Sequence, residues 1–221
     1  MKEFLEQYKL DAVLVHTPAN MRNISGFTGE GLVYVSKEDA WILTDSRYTI
    51  AAAKESRGFE VLEYKRNMQQ YLMEKIVKEH PELAEKTFRI GFEDAVMTVE
   101  TYRTLEALFE KMNLKQWELV PLHKKLDKMR QIKTPEEIES IKKAEKIGDE
   151  AFTKVTDWLT KCYREKTSVT EKQVAAHIEF YMRDAGAEGT SFDTIAASGI
   201  HSSMPHAVPT DKVLEEGDFL A

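Results

Sequence analysis

Five short apolar runs, at residues 12–15, 31–35, 40–43, 59–64 and 89–92, punctuate the first part of the chain. They constrain the fold more than any other feature, because runs this short, bounded by polar and turn residues, suit strands better than buried helices. Between them, residues 46–55, 68–79 and 99–112 carry apolar side chains at helical spacing. Tyr71, Leu72, Ile76 and Val77, for example, fall on one stripe of a helix. Short strands alternating with amphipathic helices predict an α/β domain with a mixed, helix-covered sheet.

The texture changes near Val120-Pro121-Leu122-His123, where the last apolar strand gives way to a charged, helix-forming stretch. The sequence therefore predicts two domains, residues 1–122 and 123–221. In the second, Thr134-Pro135-Glu136-Glu137 combines an N-cap hydroxyl, a proline in the first turn and a glutamate three residues after the cap. A long helix is expected from Pro135, with Ile138, Ile141, Ala144, Ala151, Phe152, Val155 and Leu159 on its apolar face. Thr170-Glu171-Lys172-Gln173 repeats the capping pattern and opens a second helix through Met182, with Gly186 as its stop. After Gly186 the chain turns to Gly, Ser, Thr, His and Pro around short apolar runs, which reads as strands and loops presenting polar groups.

Composition narrows the function. The chain has 221 residues, 42% hydrophobic and 31% charged, with a net charge of -7 and acidic and basic residues intermixed, so no basic face is available for nucleic acid or an anionic membrane surface. The first residues lack the apolar core of a signal peptide, and no stretch approaches the ~18 apolar residues of a membrane span, so a cytoplasmic protein is expected. A lone cysteine, Cys162, has no partner for a disulfide or a zinc site and is expected to pack within a helix.

Two segments invite a chemical reading. Gly26-Phe27-Thr28-Gly29-Glu30-Gly31 resembles a phosphate loop only superficially, since no Lys-Ser/Thr follows it and Glu30 would repel a phosphate; it reads as the entry to a strand. The richer segment is residues 198–211, which holds His201 and His206 among hydroxyls and two prolines. A histidine held in a loop can move a proton near neutral pH or bind a metal. Their separation matches no standard zinc spacing, and spacing alone leaves both a catalytic role and plain solvated histidines open.

Five stretches, in order, carry a likeness to a known family. Asn20-Met21-Arg22-Asn23-Ile24-Ser25-Gly26-Phe27-Thr28-Gly29, Thr44-Asp45-Ser46-Arg47-Tyr48, residues 129–138, residues 189–199, and the Pro205-His206 pair ahead of Glu216-Gly217-Asp218-Phe219-Leu220 resemble motifs of the creatinase/prolidase/aminopeptidase P family of pita-bread metallohydrolases. The resemblance implies a creatinase-type N-terminal α/β domain followed by the first part of a pita-bread α+β catalytic domain. It also implies hydrolysis of the peptide bond before proline, by a water that two divalent metals, manganese or cobalt, activate. Plain methionine aminopeptidases lack the first of these domains.

By the same resemblance His206 matches the family histidine that contacts substrate or stabilises the tetrahedral intermediate without binding metal, and His201 is expected to take a substrate-facing place. The family's ligands, two Asp, one His and two Glu, are expected beyond Ala221, so no residue here is assigned to metal and the chain alone is expected to be inactive. Glu188, Asp193 and Asp211 are read as turn or surface carboxylates. Proline-containing peptides are the implied partners and a homodimer the implied assembly. A non-catalytic peptide-binding relative and a creatine-type amidinohydrolase are the alternatives. Cut at this point, the catalytic domain is expected to present an unpaired edge near residues 218–221 and uncovered apolar helix faces.

Overall fold

A computed structural model describes residues 1–221 and divides them into two compact units, Met1–Ile132 and Lys133–Ala221. The first contains β1 (Ala12–Val15), β2 (Leu32–Ser36), β3 (Ala40–Thr44), β4 (Glu60–Glu63), β5 (Phe88–Phe92) and β6 (Trp117–Pro121). Its helices are α1 (Lys2–Tyr8), α2 (Pro18–Ser25), α3 (Thr49–Glu55), α4 (Met68–Glu79), α5 (Val99–Lys111) and α6 (Lys125–Met129). The strands form one mixed sheet in the order β4-β3-β2-β1-β5-β6. Two antiparallel pairings at its centre, β1 with β2 and β2 with β3, are flanked by parallel pairs reached through helical crossovers.

Alternation along the central strands divides the core. Ala12, Leu14, Leu32 and Tyr34 face one apolar cluster with Leu72, Met73 and Ile76 of α4 and Leu105, Leu108 and Phe109 of α5. Val13, Val15, Val33 and Val35 face another, with Phe4 and Leu5 of α1, Met21 of α2, Ala52 of α3 and Leu126 of α6. Because both faces are covered, β1 is buried along its whole length, which is why it reads as a continuous apolar run rather than an alternating one.

The glycine-rich segment serves this scaffold. Gly26 caps α2 in the left-handed region at φ 83°, and its N–H donates to the Arg22 carbonyl. A Cβ on Gly31 would collide with the Leu43 carbonyl oxygen, so only glycine permits β2 to start against β3.

The division between units falls at Ile132/Lys133, ten residues later than Leu122/His123. Leu122 and Leu126 are buried in the second cluster. Beyond them the Asn20 amide donates to Glu93 at 2.6 Å and to Asp127 at 2.9 Å, and Arg130 Nε donates to the Asn20 side-chain oxygen at 2.6 Å. The charged stretch after Pro121 is thereby tied back to the sheet.

The second unit holds α7 (Pro135–Glu165), α8 (Glu171–Asp184) and a 3-10 turn, Gly199–Ser203. Both helices start with the capping boxes that Thr134 and Thr170 predict. The buried residues of α7 are Ala151, Val155 and Cys162, and the last two pack with Val169, Val174, Ala175 and Ala196. Ile138, Ile141, Ala144 and Phe152, expected on the same face, are exposed instead. The segment after Gly186 contains no regular strand: pairing is limited to isolated bridges, Thr170 with Val213 and Ser198 with Leu220. The expected unpaired edge is thus partly paired, since the Ala197 and Ala221 N–H groups each donate to the other's carbonyl at 2.9 Å. Hydroxyl and carboxylate hydrogen bonds do the work in this segment that a ladder would do elsewhere.

Candidate functional site

The site is built on the first residue of α8. Thr170 is the N-cap, its hydroxyl accepting from the Gln173 N–H while the Gln173 side chain accepts from the Thr170 N–H. Two amides of the first turn donate outside the helix, Glu171 N–H to the Lys212 carbonyl and Lys172 N–H to the Thr210 carbonyl, both at 3.1 Å. The chain near residue 211 is therefore held against the start of α8, and Glu171 points its carboxylate into the space behind it.

Glu171 is fully buried and its carboxylate is a hub. Oε1 accepts from the Ser198 N–H at 2.7 Å, the Ser198 hydroxyl at 2.9 Å and His201 Nδ1 at 3.1 Å. Oε2 accepts from the Thr210 N–H at 3.0 Å and the Thr210 hydroxyl at 2.6 Å. One carboxylate thus ties residue 198 to residue 210 and closes the loop that carries both histidines. Burial alone would raise its pKa, but the hydrogen bonds from Thr210 and Ser198 outweigh it and hold the group at about 2.

Lys212 extends the network, its Nζ donating to the Ser198 hydroxyl at 2.9 Å and to Asp218 Oδ2 at 2.6 Å. This bond and the Glu215 N–H hold the Asp218 carboxyl below the usual range. Gly199, at φ 56°, lies where a Cβ would run into the Asp218 carboxylate, so the turn into residues 199–203 needs glycine. Ser198 beside Lys212 has the composition of a Ser/Lys nucleophile pair. Ser198 is fully buried and Lys212 is committed to Asp218, however, so the contact is structural.

His201 and His206 belong to one segment but differ in setting. His201 lies with its Nδ1 on Glu171 and about a third of its side chain exposed; His206 is exposed. Glu188, Asp193 and Asp211 are all exposed, and Asp211 pairs with Lys172 at 2.8 Å. Glu171 itself escapes a reading of the sequence. The only signal it gives there is a glutamate just inside a helix N-terminus, and its partners lie 27 to 39 residues further on.

Residues 1–132 match the model of the creatinase/prolidase N-terminal domain. The chain belongs to the creatinase/prolidase family. Within this creatinase/prolidase chain, residues 139–221 match metallopeptidase family M24. Among curated relatives, it is 35% identical over its whole length to an uncharacterized peptidase of Bacillus subtilis and 32% identical over 99% of its length to an Xaa-Pro dipeptidase of Pyrococcus furiosus. It spans 58% and 57% of those two proteins. Among solved structures, the Xaa-Pro dipeptidase from Bacillus anthracis matches with a TM-score of 0.81 at 30% identity, over 99% of this chain and 57% of that one. The X-Pro aminopeptidase from Thermotoga maritima matches with a TM-score of 0.80 at 31% identity, over 97% and 58%.

The peptidase family implies divalent metal. The side chains of this chain do not fit one: no group of three or more His, Cys, Asp or Glu converges in a way that could hold an ion, and the lone pairs of Glu171 are taken by Ser198, Thr210 and His201. No helix is long and apolar enough to cross a membrane.

Proposed function

We propose that this chain is the N-terminal domain and the leading part of the catalytic domain of an Xaa-Pro peptidase, which hydrolyses the bond before proline in proline-containing peptides. The observation that carries the reading is the pair of family matches in order on one chain, 1–132 and 139–221, together with relatives that are Xaa-Pro dipeptidases. In this reading the segment closed by Glu171 is the substrate-facing loop. His206 contacts the peptide or the tetrahedral intermediate formed from it, and His201 faces the substrate beside it. Both imidazoles suit those tasks, because a neutral ring offers one N–H, which His206 can donate to a carbonyl oxygen turning tetrahedral, and one lone pair, with which His201 can meet a backbone N–H.

The reading also assigns a pair of divalent ions, manganese or cobalt, to the whole enzyme. The 221 residues do not hold them, and the chain alone is inactive. The enzyme works in the cytoplasm as a homodimer. Hydrolysis of an Xaa-Pro dipeptide and an Xaa-Pro-Xaa tripeptide with added Mn²⁺ tests this, using the 221-residue chain and a form carrying the remaining length that the relatives have. Activity is expected only in the longer form and is abolished by His206→Ala. Silence in both forms with peptide binding retained would instead favour a non-catalytic peptide-binding protein.

A further inference from the structure

The Glu171 carboxylate has more donors than loop closure requires. An ionised carboxylate offers about four lone-pair directions. The amides and hydroxyls of Ser198 and Thr210 supply four donors, and they alone tie the two ends of the loop together. His201 is a fifth, its Nδ1 lying between both oxygens at 3.1 and 3.3 Å. A purely structural anchor has no need of it. Burial differs across this pair as well: Glu171 is 0% exposed and His201 31%, so the ring has one edge on the carboxylate and keeps part of itself in solvent.

We propose that Glu171 is a positioning residue, which fixes His201 with Nδ1 inward so that Nε2 makes a hydrogen bond to the backbone of a bound peptide. The proposal rests on the peptidase reading above for the identity of that peptide. Its chemistry rests on this chain alone. An ionised carboxylate only accepts, so Nδ1 must carry the hydrogen, and the neutral ring then has a single tautomer with its lone pair at Nε2. The carboxyl stays ionised down to about pH 2, so this orientation persists throughout the range in which a peptidase works. Ile200, Met204 and Val208 stand exposed on the same segment, an apolar margin that suits a proline ring beside a polar backbone contact. A histidine without a fixed partner would lose rotamer freedom on binding; one already held by Glu171 has lost it on folding.

Two measurements test the proposal. In the 221-residue chain, long-range ¹H–¹⁵N spectra of the histidine rings are expected to show His201 as one Nδ1–H tautomer, and Glu171→Gln to turn it into a mixture while leaving His206 unchanged. A tautomer mixture in the unaltered chain overturns the proposal, whether or not the variant folds. In the longer form, His201→Ala is expected to raise KM for an Xaa-Pro-Xaa tripeptide roughly tenfold with kcat within about twofold, the pattern of lost binding rather than lost chemistry. Glu171→Gln is expected to do the same, and the double variant to be no worse than either, because the glutamate acts through the histidine. Multiplying effects in the double variant overturn the proposal, since Glu171 would then act only by closing the loop. If the longer form hydrolyses no Xaa-Pro peptide, the peptidase reading fails; the dissociation constant of Ala-Pro-Ala in the same variants then decides the positioning role by the same comparison.

Discussion

Residues 1–132 and 133–221 differ in which kind of buried group dominates, although the first unit also buries Asn20 and Glu93. In the first unit both faces of the sheet are apolar, and Leu14, Val33, Ile42, Phe27 and Leu72 are almost wholly removed from water. In the second, the apolar cluster is small, Phe152, Phe180, Phe192 and Phe219 are exposed, and the most deeply buried charged side chain is Glu171. Apolar packing is non-directional: it sets which face of a strand points inward but leaves a loop many arrangements. Hydrogen bonds to a buried carboxylate specify direction and stoichiometry, and they matter more where water is excluded. The segment with His201 and His206 is held by the second kind of force, which fixes the ends of the loop and the His201 ring rather than merely burying them.

The largest expected effect strikes the apolar side of this comparison. Phe27 is 0% exposed, packs in the cluster with Val33 and Ile42, and meets Tyr48 edge-on with ring centroids 6.5 Å apart. Phe27→Ala removes that area and leaves a cavity, a loss of about 3–5 kcal/mol in urea denaturation followed by tryptophan fluorescence. A cost under about 1 kcal/mol would mean that this unit does not depend on its apolar clusters in the way the burial indicates.

Acid should separate the units by where each begins to weaken. Burial lowers the pKa of His16 from its ordinary 6.5, with Glu93 opposing the shift. The unfolded chain therefore binds a proton at His16 before the folded chain does, and the stability contributed is complete above about pH 6.5 and lost as pH falls through the lowered value. Glu171 is held at about 2 against an ordinary 4.5, so its contribution is complete above about pH 4.5 and is lost as pH falls toward 2. Residues 1–132 are expected to lose stability first on acidification, and the loop of residues 198–210 to open only below about pH 4.5. Amide exchange of Ser198 and Thr210 as a function of pH reads the second event. Exchange of those two amides rising already at pH 6 would show that Glu171 is not their anchor.

The same contrast explains what the sequence reveals. The strands with both faces buried are visible as apolar runs: residues 12–15 coincide with β1, and residues 68–79 with α4. Thr134 and Thr170 mark the starts of α7 and α8 through rules that operate over three residues. The seven-residue α1 and eight-residue α2 are too short to display a period, and Pro18 is legible as a helix start only once the helix is known. After Gly186 the short apolar runs suggest strands, but the segment is pinned by Glu171, Lys212 and Asp218 instead. No spacing rule connects Glu171 to Ser198 and Thr210, since the pairing exists only after α8 has been laid against that segment. That His201 and His206 share a loop is legible; the carboxylate that closes it is not.

The smallest effect discriminates between two look-alike signals. Thr134 and Thr170 make the same capping box, and replacing an N-cap threonine by alanine costs about 0.5–2 kcal/mol. Their surroundings differ. The first turns of α7 carry the exposed Ile138 and Ile141, so that end can fray without disturbing the buried stripe that begins at Ala151. Thr170 immediately precedes Glu171, and fraying there would withdraw the carboxylate from Ser198 and Thr210. Thr170→Ala is therefore expected to cost about 1.5 kcal/mol and Thr134→Ala about 0.5 kcal/mol in urea denaturation followed through Trp158, the one tryptophan of residues 133–221. Equal costs would place the stability of this unit in its helices rather than in the carboxylate at the head of α8.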